Sequence, residues 1–126
     1  MPAARVHADR VPAVLIVDDD PRFRWRASRV LADRGYEVVG TAATVAQARA
    51  GVRDARPDAV LLDVNLPDGS GLAFARELAL GARAPRVLLT SSDAGAAPRR
   101  LVERSGAAGF VAKVDLATAD LTPYLG

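Results

Sequence analysis

The sequence contains no cysteine, so disulfide staples and thiolate metal centres are excluded. Its single histidine, His7, lies close to the amino terminus, which leaves a histidine-based zinc site or a Ser/His catalytic pair almost nothing to draw on. No apolar run approaches the length of a membrane span, and no signal-peptide pattern opens the chain. Net charge is also scarce. The formal value is +2 despite a pI near 9.7, and it comes from scattered arginines, so no nucleic-acid patch is read from it. These absences lead us to expect a cytoplasmic protein. With 126 residues, 50% of them apolar and 25% charged, the chain is one domain able to bury a core. Residues 1–10 are polar, alanine-rich and aperiodic, and read as a loose tail before a domain at 11–126.

What is present is a set of five short strand-like runs, four of them closed by a chemically loaded polar group. Ala59-Val60-Leu61-Leu62 runs straight into Asp63, and the chain then breaks at Pro67, Asp68, Gly69 and Gly71. An all-apolar run bounded by turn formers reads as a strand buried on both faces, as in a parallel sheet. A carboxylate inside such a strand would be costly, so Asp63 belongs at the carboxyl end. Ala13–Val17 is a second such run, closed by Asp18-Asp19-Asp20. Glu37–Thr41, Arg86–Leu89 and Gly109–Ala112 supply three more, the last two closed by Thr90-Ser91-Ser92 and by Lys113.

Helical signals fall between them. Asp20 and Pro21 suit an N-cap and first turn, Phe23, Ala27, Val30 and Leu31 recur at helical spacing, and Gly35 is a natural stop. The arginines at 22, 24, 26 and 29 read mostly as a solvated face. Thr44 can cap a helix from Val45 to about Arg53. A third helix holds Leu72, Phe74, Leu78 and Leu80 after the Gly69-Ser70-Gly71 turn, and a fourth holds Leu101 and Val102. Leu116–Leu125 reads as a short last helix interrupted by Pro123. Five alternations of strand and helix imply an α/β, doubly wound parallel sheet.

In such a sheet all strand carboxyl ends lie along one edge, where ligands bind. Asp18, Asp19, Asp63, the hydroxyl of Thr90 or Ser91, and Lys113 therefore converge. Each alone has a bland explanation, since acids cap helices and hydroxyls end strands; together on one edge they do not. Three carboxylates without histidine or cysteine favour a hard divalent ion, most naturally Mg²⁺. A lysine and a hydroxyl beside it suit a phosphoryl group.

The motifs Val14-Leu15-Ile16-Val17-Asp18-Asp19-Asp20-Pro21, Leu61-Leu62-Asp63-Val64-Asn65-Leu66-Pro67-Asp68-Gly69-Ser70-Gly71, Leu88-Leu89-Thr90-Ser91-Ser92 and Gly109-Phe110-Val111-Ala112-Lys113 resemble those of receiver domains of two-component response regulators. The resemblance implies a flavodoxin-like sheet of strand order 2-1-3-4-5. It implies that Asp63 accepts a phosphoryl group from the phosphohistidine of a sensor histidine kinase or phosphotransfer protein. Asp18 and Asp19 would hold Mg²⁺ with Asp63 and the backbone carbonyl of Asn65. Lys113 would pair with Asp63 or its phosphoryl oxygens, and Phe110 stands where the family has a rotating aromatic switch. The switch hydroxyl is Ser91 by its separation from Asp63 and Lys113, or Thr90 by its local context. Two departures stand out. Val114 replaces the frequent proline, so no cis peptide is expected there, and the weak last helix limits any dimer on that face to a monomer–weak homodimer equilibrium.

The favoured expectation is a stand-alone receiver signalling to a downstream protein, without membrane or direct nucleic-acid contact, because no output region follows Gly126. The alternatives are the receiver of a longer DNA-binding regulator, or a small Mg²⁺-dependent phosphatase-like enzyme, for which the short loops leave little room.

Overall fold

β1 (Ala13–Val17), β2 (Glu37–Ala42), β3 (Ala59–Asp63), β4 (Arg86–Ser91) and β5 (Gly109–Ala112) form one sheet in the order β2-β1-β3-β4-β5. Every neighbouring pair is parallel, so the architecture is the expected flavodoxin-like one. The computed structural model describes residues 11–126; the expected loose tail and His7 lie outside the described residues.

Alternation along the strands splits the core in two. Leu15, Val17, Val60, Leu62, Val87 and Leu89 point to one face, covered by α2 (Val45–Ala55), α3 (Gly71–Ala79) and α4 (Arg99–Ser105) through Ala48, Phe74 and Val102. Val14, Ile16, Leu61, Leu88 and Val111 point to the other, covered by α1 (Pro21–Asp33) through Phe23, Ala27 and Leu31. With helices on both faces, the central strands read as unbroken apolar runs, and all five residues of β3 are buried. Truncating a residue such as Phe23, 2% exposed, to alanine costs about 3–5 kcal/mol in sites of this kind.

Boundaries follow the capping chemistry. Asp20, Thr44 and Ser70 each accept a backbone N–H at the start of α1, α2 and α3. α2 runs two residues beyond the expected Arg53, ending at Arg56 in a left-handed conformation, φ 48°. β4 continues through Thr90 and Ser91.

The expected helix over Leu116–Leu125 is corrected. Lys113–Asp115 is a 3₁₀ turn, and the only α-helix after it is α5, Thr122–Leu125. Pro123 sits in its first turn, where a missing N–H is harmless. A continuous helix would need the amides of residues 121 and 123 to reach the carbonyls of Ala117 and Ala119, and Pro123 has none to give. Arg34 donates to both carbonyls instead, with Nη1 2.7 Å from that of Ala119. Leu121 and Leu125 still reach the core. Among the described residues no peptide bond is cis, and no helix is long and apolar enough to cross a membrane.

Candidate functional site

At the carboxyl edge of the sheet, β1 delivers Asp18 fully buried, its amide bonded to the Ala42 carbonyl at 2.9 Å. Oδ1 of Asp18 accepts the Asp20 amide at 2.9 Å, and the Asp20 side chain accepts the Arg22 amide at 2.9 Å to start α1. Arg24 Nη1 donates to the Asp18 carbonyl at 2.8 Å. The turn is thus held from both sides, and Asp19 projects to solvent between two fixed neighbours.

β3 delivers Asp63, 5% exposed. Its Oδ1 accepts the Asn65 amide at 3.1 Å and its Oδ2 accepts from Lys113 at 3.3 Å. Lys113 arrives from the end of β5, and its Nζ lies 2.6 Å from Asp18 Oδ2. That oxygen has no aligned hydrogen bond, so its partner here is the ammonium charge alone. The same Nζ sits 4.6 Å from the centroid of the Phe23 ring. Single oxygens of Asp18, Asp19 and Asp63 all lie within 4.8 Å of one another.

The electrostatics follow. Burial pushes the Asp63 carboxyl above its usual range; the Asp18 charge pushes the same way, while the Asn65 amide and Lys113 pull it down. For Lys113, burial works to lower the pKa, but the close contact with Asp18, its charge and that of Asp63 outweigh it, so the ammonium is held above its ordinary value. Two buried acids share one cation. A set of oxygen donors this close, excess in negative charge and lacking nitrogen or sulfur, fits a hard divalent cation such as Mg²⁺.

The two hydroxyls part company. Thr90 stands in register with Asp63, fully buried on the α1 side of the sheet, and its Oγ1 has no hydrogen-bond partner. Ser91, one residue on, alternates with Val87 and Leu89 and so belongs to the opposite side, the one on which Phe110 packs. Its Oγ accepts the Asp93 amide at 3.1 Å. Ser91 lines a cavity of about 590 Å³ together with Asp19, Asp63, Asn65 and Lys113, and Thr90 does not. Phe110 is half-buried and outside that cavity; it faces a second one of about 470 Å³ beside Arg99, Glu103 and Tyr124.

Sequence reasoning missed some supports. A Cβ at Gly71 would stand 2.0 Å from the Asp63 carbonyl oxygen, and the Gly71 amide donates to the Val64 carbonyl at 2.7 Å. The Gly69-Ser70-Gly71 turn was visible, but its contact with the acid was not. Asp68 reaches across to cap α2, accepting the Val45 and Ala46 amides at 2.7 and 3.1 Å. Arg26 lines the cavity; its three-residue spacing from Phe23 is the signal that places it on that side of α1.

The family model described as the response regulator receiver domain matches residues 14–122. Among curated proteins, the transcriptional regulatory protein PdtaR of Mycobacterium tuberculosis is 35% identical over 114 residues, 89% of this chain and 54% of that protein. The protein-glutamate methylesterase/protein-glutamine glutaminase of Agrobacterium fabrum is 41% identical over 80 residues, 63% of this chain and 22% of that protein. The chain therefore spans about half or less of the length of these relatives. Among solved structures, the receiver domain of the putative response regulator NarL from Mycobacterium tuberculosis superposes with a TM-score of 0.77 at 30% identity, covering 90% of this chain and 95% of that one. The chemotaxis response regulator CheY4 of Vibrio cholerae gives 0.73 at 28%, covering 85% and 93%. By sequence model, relatives and fold alike, the chain belongs to the receiver-domain family of response regulators.

Proposed function

We propose that this receiver accepts a phosphoryl group on Asp63 and passes the signal on by a change of shape. The observation that carries the reading is the setting of the Asp63 carboxylate, buried between Asp18 and Lys113 yet open to the cavity that Ser91 and Asn65 line. One oxygen of Asp63 attacks the phosphorus of a phosphohistidine on a sensor histidine kinase or phosphotransfer protein. The new O–P bond forms as the P–N bond breaks, and the electron pair leaves on the imidazole, which takes up a proton. Asp18, Asp19, Asp63 and the Asn65 carbonyl would hold Mg²⁺, which when bound offsets the negative charge gathered on the phosphoryl oxygens. Lys113 supplies a fixed positive charge to those oxygens. Ser91 donates its hydroxyl to them, giving up the Asp93 amide, with Thr90 as the reserve assignment.

Withdrawal of Ser91 loosens the 92–98 loop, and Phe110, on the same side of the sheet, turns toward the space left. The surface of α4 and β5 is then what a downstream protein reads. The chain acts in the cytoplasm as an acceptor rather than an enzyme, as a monomer or weak homodimer. A second reading, the receiver part of a longer regulator, is favoured by relatives such as the DNA-binding transcriptional activator DevR/DosR of Mycobacterium tuberculosis, of which the match covers 46%. The experiment is incubation with Mg²⁺ and acetyl phosphate followed by intact mass. Wild type should gain one phosphoryl group and Asp63→Asn none; equal labelling of both would refute the assignment.

A further inference from the structure

Arg26 lines the cavity into which Asp63 opens, and among the described residues it is the cation there with no carboxylate partner. Lys113, the other, is engaged by Asp18 and Asp63. Its three neighbours on α1 are turned elsewhere or occupied. Arg24 donates to the Asp18 carbonyl, Arg29 lies over the Trp25 ring, and Arg22 lines only an outer groove beside Trp25, which Arg26 borders as well as this cavity. The Arg26 guanidinium sits 5.7 Å from the centroid of Phe23, the same ring that carries Lys113 Nζ at 4.6 Å. Phe23 is 2% exposed and fixed in the core, so one buried ring positions both cations, an inner one on the acids and an outer one at the mouth.

We propose that Arg26 is the phosphodonor-binding residue of this site, holding the phosphoryl oxygens of an incoming dianion at the cavity mouth before transfer. The inference rests on the acceptor reading of Asp63 and adds the residue that would receive the donor's phosphoryl group, with a small acyl phosphate as the probe. A cavity of about 590 Å³ admits a small acyl phosphate. Its rim carries Asp19 and Asp20, which repel such a donor, so a cation not already neutralised is what an approaching dianion needs. A guanidinium meets phosphoryl oxygens with two parallel N–H donors, a match a point charge lacks. Transfer then proceeds at Asp63: its oxygen bonds to phosphorus, the bond from phosphorus to the acyl oxygen breaks, and acetate leaves with the electron pair. Arg26 takes no part in the bonds exchanged, so its effect falls on binding.

The test measures the initial rate of labelling by acetyl phosphate in Mg²⁺, by intact mass, for wild type, Arg26→Ala and Arg26→Lys. Arg26→Ala should raise the half-saturating donor concentration about three- to tenfold, the size of one charge-assisted contact at a partly wet site. The limiting rate should change little, and Arg26→Lys should recover part of the loss. The less charged donor phosphoramidate should show a smaller increase, and added salt should shrink the gap between wild type and Arg26→Ala. An unchanged half-saturation, or a loss confined to the limiting rate, overturns the role of Arg26 while leaving the acceptor reading intact. Absence of labelling in wild type overturns the acceptor reading. The anion contact is then read separately by titrating inorganic phosphate and following the amide shifts of Ser91, Ser92 and Val114. Weaker binding by Arg26→Ala supports the contact, and equal binding removes it.

Discussion

Lys113 stands nearer to Asp18 than to Asp63, 2.6 Å against 3.3 Å. The lysine is therefore first a counter-charge for a fully buried acid and only second a partner of the proposed acceptor. Removing one member of a buried pair leaves the other uncompensated, at about 3–5 kcal/mol. Lys113→Met should accordingly lower unfolding stability by several kcal/mol by urea titration, and Asp18→Asn in the same chain should restore much of it. If Lys113→Met is as stable as wild type, the pair does not carry the charge balance argued for it.

Thr90 and Ser91 make opposite predictions. Thr90→Val removes a buried hydroxyl that bonds to nothing and should leave stability unchanged or raise it by about 1 kcal/mol. Ser91→Ala removes the acceptor of the Asp93 amide and should loosen the following loop. On phosphorylation, amide shifts in wild type should extend from Ser91 through Ser105 to Phe110, and Ser91→Ala should shrink them. Should Thr90→Val shrink them instead, the reserve assignment is the correct one.

Asp68 supplies a pH dependence whose sign can be worked out. The Val45 and Ala46 amides hold its carboxyl below the usual range. In acid the unfolded chain then binds the proton more readily than the folded one. The stability that Asp68 contributes is fully present above the ordinary carboxylate range and is lost as the pH falls through its depressed value. Asp68→Asn should therefore be less stable than wild type at neutral pH, and the two should converge below about pH 4. Urea titrations at three pH values would show it; a gap that stays constant into acid would not fit.

Mg²⁺ at millimolar concentration should raise the melting temperature of wild type by mass action. Asp19, exposed and free of the structural bonds that Asp18 makes, can be tested cleanly: Asp19→Ala should abolish most of the rise while the melting temperature without Mg²⁺ changes little. An undiminished rise in Asp19→Ala would place the ion elsewhere.

The strands were legible because helices cover both faces of the sheet, which forces continuous apolar runs that polar residues can only end. Asp18, Asp63 and Lys113 were legible for the same reason. The last helix was legible only in part: Pro123 marks its first turn, but the carbonyls of Ala117 and Ala119 that a longer helix would use are taken by Arg34, 83 and 85 positions upstream. Which hydroxyl lines the cavity depends on whether β4 continues through Ser91, a one-residue question that flips a side chain to the other face. Arg26, exposed like Arg22 and Arg29, was hidden among them, and Asp68 among turn formers. Both act across the chain rather than along it.

Gly71 opens α3, where a helix-propensity scale would recommend alanine by about 1 kcal/mol. The scale measures the wrong neighbour. Any Cβ there meets the Asp63 carbonyl at 2.0 Å, so a larger residue does not tune the helix but levers the end of β3 away from the cavity. A library randomised at position 71 should return glycine among the variants that still take a phosphoryl group, even when the helix itself would welcome the change.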